Sequence, residues 1–375
     1  MIIRTELLQE SCSKILNAVD SNVLSAVTET LEIKNEQGKM SMSVTNREYF
    51  VNVLFDTGVD EQIHATVNAN LFLKLISKIT SETIELTTDN NSLFVKCNGD
   101  YKLPLIFDGD KLMELPKISI ENVAETFDID SSILHSIVNY NSKELQKGTI
   151  SKPIQRLYYV DSEGCITFTT GACVNKFSVD MSSKLLLNDK LVKLFKLFKD
   201  TKVSVTVGHN KLSEDTVVTA VSFASPGITV DAVLNCDDSM AVSFPVDGIR
   251  TRSNTTYPLS VSINKDLLMQ AVDRLMLFSQ AASKSDLSLS IIQLEFENDS
   301  VIVSDRKGIN KESVLYSNPI EMDTKYSALI DSSDLTKTLA SSSNQLVNFA
   351  FGNNEAFVLS EGSVKWVIPE CQSDE

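Results

Sequence analysis

The 375-residue sequence lacks most of the residues that announce catalytic or metal chemistry. It holds only three histidines, His64, His135 and His209, none near another along the chain. Its six cysteines (Cys12, Cys97, Cys165, Cys173, Cys236 and Cys371) include no CxxC pair, so zinc-ligand spacing is absent and buried reduced thiols are the expectation. A Gly-rich phosphate loop, GxSxG and HExxH are missing too. No metal, no cofactor and no enzymatic activity are therefore expected. Glycine (13) and proline (8) are sparse, and with 42% hydrophobic residues the composition excludes collagenous and disordered classes. No apolar run approaches the roughly 18 residues of a membrane-spanning helix. The opening MIIRTELLQESCSK has no basic segment leading into an apolar one, so a cytoplasmic location and no membrane partner are expected. Cations are outnumbered, 34 Lys and Arg against 50 Asp and Glu, for a net charge of -16. Such a chain cannot coat nucleic acid with a generally basic surface, and any contact of that kind must use locally arranged cations.

What is present is a repeat. The length alone suggests two or three domains, and self-similarity decides for three. ANLFLKLISKITSETIELTT (69–88), NDKLVKLFKLFKDTKVSVTVG (188–208) and SSDLTKTLASSSNQLVNFAFG (332–352) each read as an amphipathic helix followed by an alternating strand. Phe72, Leu75, Ile76 and Ile79 correspond to Leu191, Leu194, Phe195 and Phe198, one helical stripe in both, while the third copy keeps Leu335 and Leu339. Each copy then reaches an extended segment ending in an apolar residue and proline, at Pro116, Pro245 and Pro369. An earlier helix recurs as well: Leu8, Cys12 and Ile15 line up with Leu134 and Val138, and with Leu268, Val272 and Leu275. Between the helices lie alternating strands that turn as hairpins, such as ETLEIKNEQGKMSMSVT and RLYYVDSEGCITFTT. The expectation is an α+β protein of three domains, 1–121, 122–252 and 253–375, each with two helices packed on antiparallel sheets, and linkers near 121 and 253.

One stretch runs against the charge balance. KLVKLFKLFKDTK (190–202) places lysine at every third position. On a helical wheel the buried stripe centres near Leu194 and Phe195, and Lys193 projects about 150° away from it. Lys74 and Lys337 hold the equivalent positions, Lys78, Lys190, Lys196 and Lys199 flank them, and Lys14 and Arg274 match one another on the earlier helices. A solvated helix face accounts for any one such pattern. Recurrence at equivalent sites in an acidic chain points instead to a basic track that holds phosphate without reading sequence.

The threefold repeat, about 125 residues long, resembles a bacterial-type DNA sliding clamp, the beta subunit of DNA polymerase III, over essentially the whole chain. The resemblance implies two chains closing head to tail into a ring, helices lining the hole and strands forming the outer sheet. Duplex DNA would thread the hole against Lys14, Lys74, Lys78, Lys190, Lys193, Lys196, Lys199, Arg274 and Lys337. DNA polymerase and clamp loader would dock a short peptide in an apolar pocket between the second and third domains. Carried over onto this sequence, that pocket would comprise Ile154, Thr170, Phe177, Pro245, Ile249, Trp366, Val367, Ile368 and Pro369. TTGACVNKF replaces the family's usual turn, and the ending ECQSDE is acidic and longer than the family's, as would suit a phage-encoded or otherwise specialised clamp.

Two other readings remain open. LFDTGVD (54–60) contains an Asp-Thr-Gly triplet resembling the catalytic turn of aspartic proteases, but that chemistry needs two carboxylates, so Asp56 could act only across a homodimer. A β-rich adaptor that binds proteins without encircling DNA is the third possibility.

Overall fold

A computed structural model describes residues 1–19, 25–145, 152–211, 217–234, 238–281, 291–322, 325–352 and 356–371. The first third runs β1 (Ile2–Arg4), α1 (Thr5–Leu16), α2 (Ala26–Glu29), β2 (Thr30–Glu36), β3 (Lys39–Thr45), β4 (Tyr49–Asp56), β5 (Ile63–Asn68), α3 (Ala69–Ile76), β6 (Thr83–Thr88), β7 (Ser92–Lys96) and β8 (Asp100–Pro104), then a small hairpin of β9 (Phe107–Asp108) and β10 (Lys111–Leu112). The second runs β11 (Asn122–Asp130), α4 (Ser131–Tyr140), 3-10 turns at Asn141–Glu144 and Pro153–Arg156, β12 (Leu157–Asp161), β13 (Gly164–Phe168), β14 (Ala172–Lys176), β15 (Leu185–Asn188), α5 (Asp189–Leu194) prolonged by a 3-10 turn Phe195–Leu197, β16 (Lys202–Lys211), β17 (Val217–Ser225) and β18 (Ile228–Leu234). Two helices follow, α6 (Asp238–Ser243) and α7 (Val246–Asn254). The last third runs β19 (Leu259–Asn264), α8 (Lys265–Ala281), β20 (Ile291–Phe296), β21 (Ser300–Asp305), β22 (Lys311–Leu315), β23 (Tyr326–Asp331), α9 (Ser332–Ser341), β24 (Leu346–Phe351), β25 (Ala356–Glu361) and β26 (Val364–Pro369). No described helix is long and apolar enough to cross a membrane.

The sheets carry the repeat in their strand order. Order β1-β6-β7-β8 recurs as β11-β16-β17-β18 and as β19-β24-β25-β26, while β5-β2-β3-β4 recurs as β15-β12-β13-β14 and β23-β20-β21-β22. All pairings are antiparallel. Two of these four-stranded sheets fuse where β18 pairs with β4, Val230 opposite Val51. Two more fuse where β14 pairs with β26, Cys173 opposite Trp366. The joint is thus the same kind of edge meeting the same kind of edge, used twice.

Packing divides the chain into two compact units, residues 1–134 with 180–183 and 190–237, and residues 135–179 with 184–189 and 238–375. Each unit holds one of the fused eight-stranded sheets, and the second repeat contributes strands to both.

Local chemistry explains the elements. The two-residue turn of β2–β3 has Gln37 and Gly38 at φ of 51° and 73°, the geometry that matches the twist of a hairpin. Asx side chains open α3, α8 and α9: Asn68 accepts from the Leu71 N–H at 2.9 Å, Asn264 from Asp266 and Leu267 at 3.0 and 3.1 Å, and Asp331 from Ser333 at 2.8 Å. The apolar stripes are buried as the spacing predicts, with Leu8, Ile15, Phe72, Ile76, Phe195, Leu335 and Leu339 fully enclosed. Each such side chain contributes about 1.5–3 kcal/mol on leaving water.

Two expectations need correction. Only Pro369 ends an extended strand, whereas Pro245 precedes α7 and Pro116 lies in irregular chain. Residues 250–254, expected as linker, are the end of α7. Its sequence VDGIRTRSN has little helical propensity, but tertiary contacts outweigh that: Arg250 bonds Asp161 at 2.6 Å and Glu163 at 3.3 Å, and Lys365 Nζ donates to the Ser253 carbonyl at 2.7 Å. Of the cysteines, Cys12, Cys97, Cys165, Cys173 and Cys371 are free thiols, burial raising Cys12 to about 12, and Cys236 lies outside the described residues, as does the tail beyond Cys371.

Candidate functional site

The helix cations fall into two groups. In the first unit, Lys74 and Lys78 on and just after α3, Lys190, Lys193 and Lys196 along α5 and its 3-10 extension, and Lys199 just beyond it, are all exposed. Lys14 bonds Glu10 one turn back at 2.8 Å. The Glu10 carboxyl is held below the usual carboxylate range, first by that Lys14 hydrogen bond and charge, and in smaller part by Lys199. Helices α1 and α3 are joined in turn by Gln9, whose amide donates to the Ile76 and Ile79 carbonyls, each at 2.9 Å. Lysines of α1 and α3 thus lie on helices tied to one another.

In the second unit both matching cations meet carboxylates, as Lys14 does in the first. Arg274 makes a bidentate pair with Glu312, its Nε 3.0 Å from the carboxylate, and the pair pulls the Glu312 pKa down. Lys337, expected to face outward, is half-buried between Glu144 at 3.0 Å and the Thr169 hydroxyl at 3.0 Å. The Glu144 carboxyl is almost fully enclosed, and its burial pushes its pKa up against the pull of Lys337. Asn141 positions this acid. Its amide bonds the Cys165 and Cys173 carbonyls at 3.3 and 3.4 Å, and Thr167 returns a bond to its carbonyl at 3.1 Å, which pins the turn Asn141–Glu144 onto β13 and β14. Helix α9 is consequently packed on two sides, and the wheel that set Lys337 opposite the core does not apply to it.

The β14–β26 joint carries a pocket of about 340 Å³ lined by Phe168, Thr170, Gly171, Ala172, Pro245, Gly248, Ile249, Arg252, Val367 and Pro369. Strand β26 supplies one wall, the β13–β14 turn the floor and α7 the other wall. Gly171 permits the close approach of turn and strand, since a Cβ there would sit 2.7 Å from the Val367 carbonyl. Behind the pocket, Phe244 anchors the start of α7 between Tyr159 and Phe168, with ring centroids at 5.2 and 5.0 Å. Beyond Thr170 lies a more polar hollow of about 590 Å³, lined by Lys143, Gln155, Thr169, Asp334 and Lys337 among others.

Of the nine expected pocket residues, Thr170, Pro245, Ile249, Val367 and Pro369 line this cavity, and Ile154, Phe177, Trp366 and Ile368 do not. Alternation along β26 accounts for two of the four. Trp366 and Ile368 point the other way, into the core of the third repeat, where Trp366 is 1% exposed and meets the Tyr140 ring edge-on at 5.9 Å. Ile154 belongs to the 3-10 turn Pro153–Arg156, and Phe177 follows β14 with its N–H donating to the Glu163 carbonyl at 3.3 Å. Sequence reading missed Phe168, Gly171, Ala172, Gly248 and Arg252. A period-two reading of GCITFTTGAC would have flagged Phe168 and Ala172, but Arg252 needed α7 to be recognised as a helix.

Asp56 is exposed at the end of β4, where the Thr57 N–H and hydroxyl bond the Gly38 carbonyl at 2.8 and 3.0 Å. The Asp-Thr-Gly triplet is a strand-closing turn here. Among the described residues no three His, Cys, Asp or Glu side chains are grouped as metal ligands.

No protein-family model and no curated protein matches this chain. Solved structures do. The DNA polymerase sliding clamp of Bacillus subtilis superposes with a TM-score of 0.74 at 15% identity, covering 99% of this chain and 98% of that one. The DNA polymerase III beta subunit of Pseudomonas aeruginosa gives 0.75 at 14% identity, and that of Thermotoga maritima 0.77 at 12%, each covering 99% of both chains. The chain has the three-domain fold of the bacterial sliding clamps.

Proposed function

We propose that this protein is a DNA polymerase processivity factor, a clamp that encircles duplex DNA and tethers polymerase and clamp loader through the pocket on β26. The observation that carries the proposal is the repeated joint. Edge β4 is closed by β18 and edge β14 by β26, whereas the third pair, β22 and β8, ends its sheets unpaired among the described residues. A second copy supplies the missing partner head to tail, and two such joints close a ring with no free edge of this kind. Exposed apolar side chains stand at the open edge: Leu315 on β22, Ile309 before it, and Leu277 and Phe278 on α8, which packs on β22. The exposed lysines of α3 and α5 give the attraction for phosphate that sliding requires, many weak contacts without base readout. The reading assigns no catalysis, consistent with the role of Asp56 in a turn, and it places the protein in the cytoplasm with DNA.

The test is topological. Loaded with its cognate loader onto nicked circular DNA, the protein stays bound through gel filtration and is released when the circle is cut. Equal retention on linear DNA would show that it does not encircle. A stable monomer at micromolar concentration would favour the adaptor reading.

A further inference from the structure

The pocket has a charged rim in a chain whose net charge is -16. Arg252 lines the cavity, is exposed, and has no ion-pair partner among the described residues. Its neighbour on the helix, Arg250, is by contrast consumed by Asp161 and Glu163. Two lysines converge on the same end of α7: Lys365, on the Val367 face of β26, donates to the Ser253 carbonyl at 2.7 Å, and Lys176 reaches the Asn254 side chain. Burial and then the nearby Lys176 charge lower the Lys365 pKa, as expected where cations gather without a compensating anion. The acids nearest in the chain are engaged or distant. Asp334 accepts from Thr170 at the far side of the β13–β14 turn, Glu370 accepts from Tyr326, and Asp247 sits at the opposite end of α7.

We infer that the pocket selects a partner peptide in which an apolar anchor is flanked by a carboxylate, the anchor filling the cavity walled by Ile249 and Val367 and the carboxylate bonding Arg252. The inference rests on the pocket reading above and adds the charge of the ligand. An arginine fork matches a carboxylate in two parallel hydrogen bonds, and the lysines at the end of α7 raise the local potential without needing to touch the peptide. Apolar contact alone would admit many sequences, so the cation supplies the discrimination.

The experiment is a selection of a random octapeptide display library on the full-length chain, repeated on Arg252→Ala and on Ile249→Asp, each first confirmed to unfold cooperatively. Wild type enriches apolar peptides carrying Asp or Glu, and Arg252→Ala keeps the apolar enrichment but loses the acidic one. In anisotropy titrations of a selected peptide, changing its acid to the amide weakens wild-type binding about tenfold, while Arg252→Ala binds both forms within about twofold of each other. An acid and amide bound equally by wild type, or an acid preference that survives Arg252→Ala, overturns the inference. Displacement of the peptide by an equimolar short DNA duplex also overturns it, because Arg252 would then serve phosphate. If no peptide is enriched, or if Ile249→Asp binds the winners unchanged, the pocket reading itself fails and not merely its charge preference.

Discussion

The helices of the first unit and those of the second carry cations at matching positions and use them differently. Lys74 and Lys193 are exposed, while Lys337 at the equivalent place is drawn onto a buried Glu144; Lys14 and Arg274 match one another and are each paired, with Glu10 and with Glu312. The difference shows that a helix position fixes where a charge points but not what meets it. Glu144 and Glu312 arrive from a turn and a strand far away in sequence. The phosphate track of the proposed clamp is accordingly densest on α3 and α5, while the third repeat's Lys337 is spent on the second repeat's Glu144 and its Arg274 on its own Glu312.

The sharpest way to separate structural from functional residues is along β26. Ile368→Asp places a carboxylate in the core of the third repeat and costs more than about 4 kcal/mol. Ile249→Asp on the half-buried pocket wall costs only about 1–2 kcal/mol yet abolishes peptide binding, so denaturant titration and anisotropy together distinguish the two faces. Next in size, Glu144→Ala strands a half-buried Lys337 and costs about 2 kcal/mol, less than a fully buried pair because Lys337 keeps some water. Replacing Lys74, Lys193 and Lys196 together by Glu costs under about 1 kcal/mol in stability. That triple change shortens primer extension and flattens the salt dependence of DNA retention, which Glu144→Ala leaves alone. An unchanged extension length in the triple variant would remove α3 and α5 from the track.

The smallest effect is a pH dependence. Burial alone would raise the Glu125 carboxyl, but hydrogen bonds from the hydroxyl and backbone of Ser182 and the backbone of Ser183 overcome it and hold the pKa at about 2. A folded pKa below the unfolded one means stability that is fully present above the usual carboxylate value and is lost as pH falls towards 2. Glu125→Gln therefore flattens the acid limb of the stability curve between about pH 4.5 and 2 and leaves neutral stability slightly reduced. Thermal unfolding across that range checks it.

The α+β class, the threefold repeat, the hairpins and most helix stripes were legible in the sequence because each rests on local periodicity. The exposed lysines of α3 and α5 were legible for the same reason. Errors arose where a residue's setting depends on chain far away. Lys337 was read as outward, since nothing near it in sequence announces Glu144, whereas Arg274 is exposed as expected and meets Glu312 there. Trp366 and Ile368 were grouped with Val367 and Pro369 although adjacent strand residues face opposite sides, an error that the sequence itself could have prevented. The last turn of helix α7 was taken for a linker because its stability comes from Arg250 and the two lysines at its end.

The unpaired edges β8 and β22 differ from one another, so the contact they would make is polar in direction, like a hook and an eye. A variant spoiled on β22 alone would still offer an intact β8 to a normal chain. In a cell making both, such chains would sequester healthy subunits into assemblies that never shut, and a single defective allele would behave as dominant. The harm would grow with expression of the variant and vanish when β8 was spoiled in the same molecule.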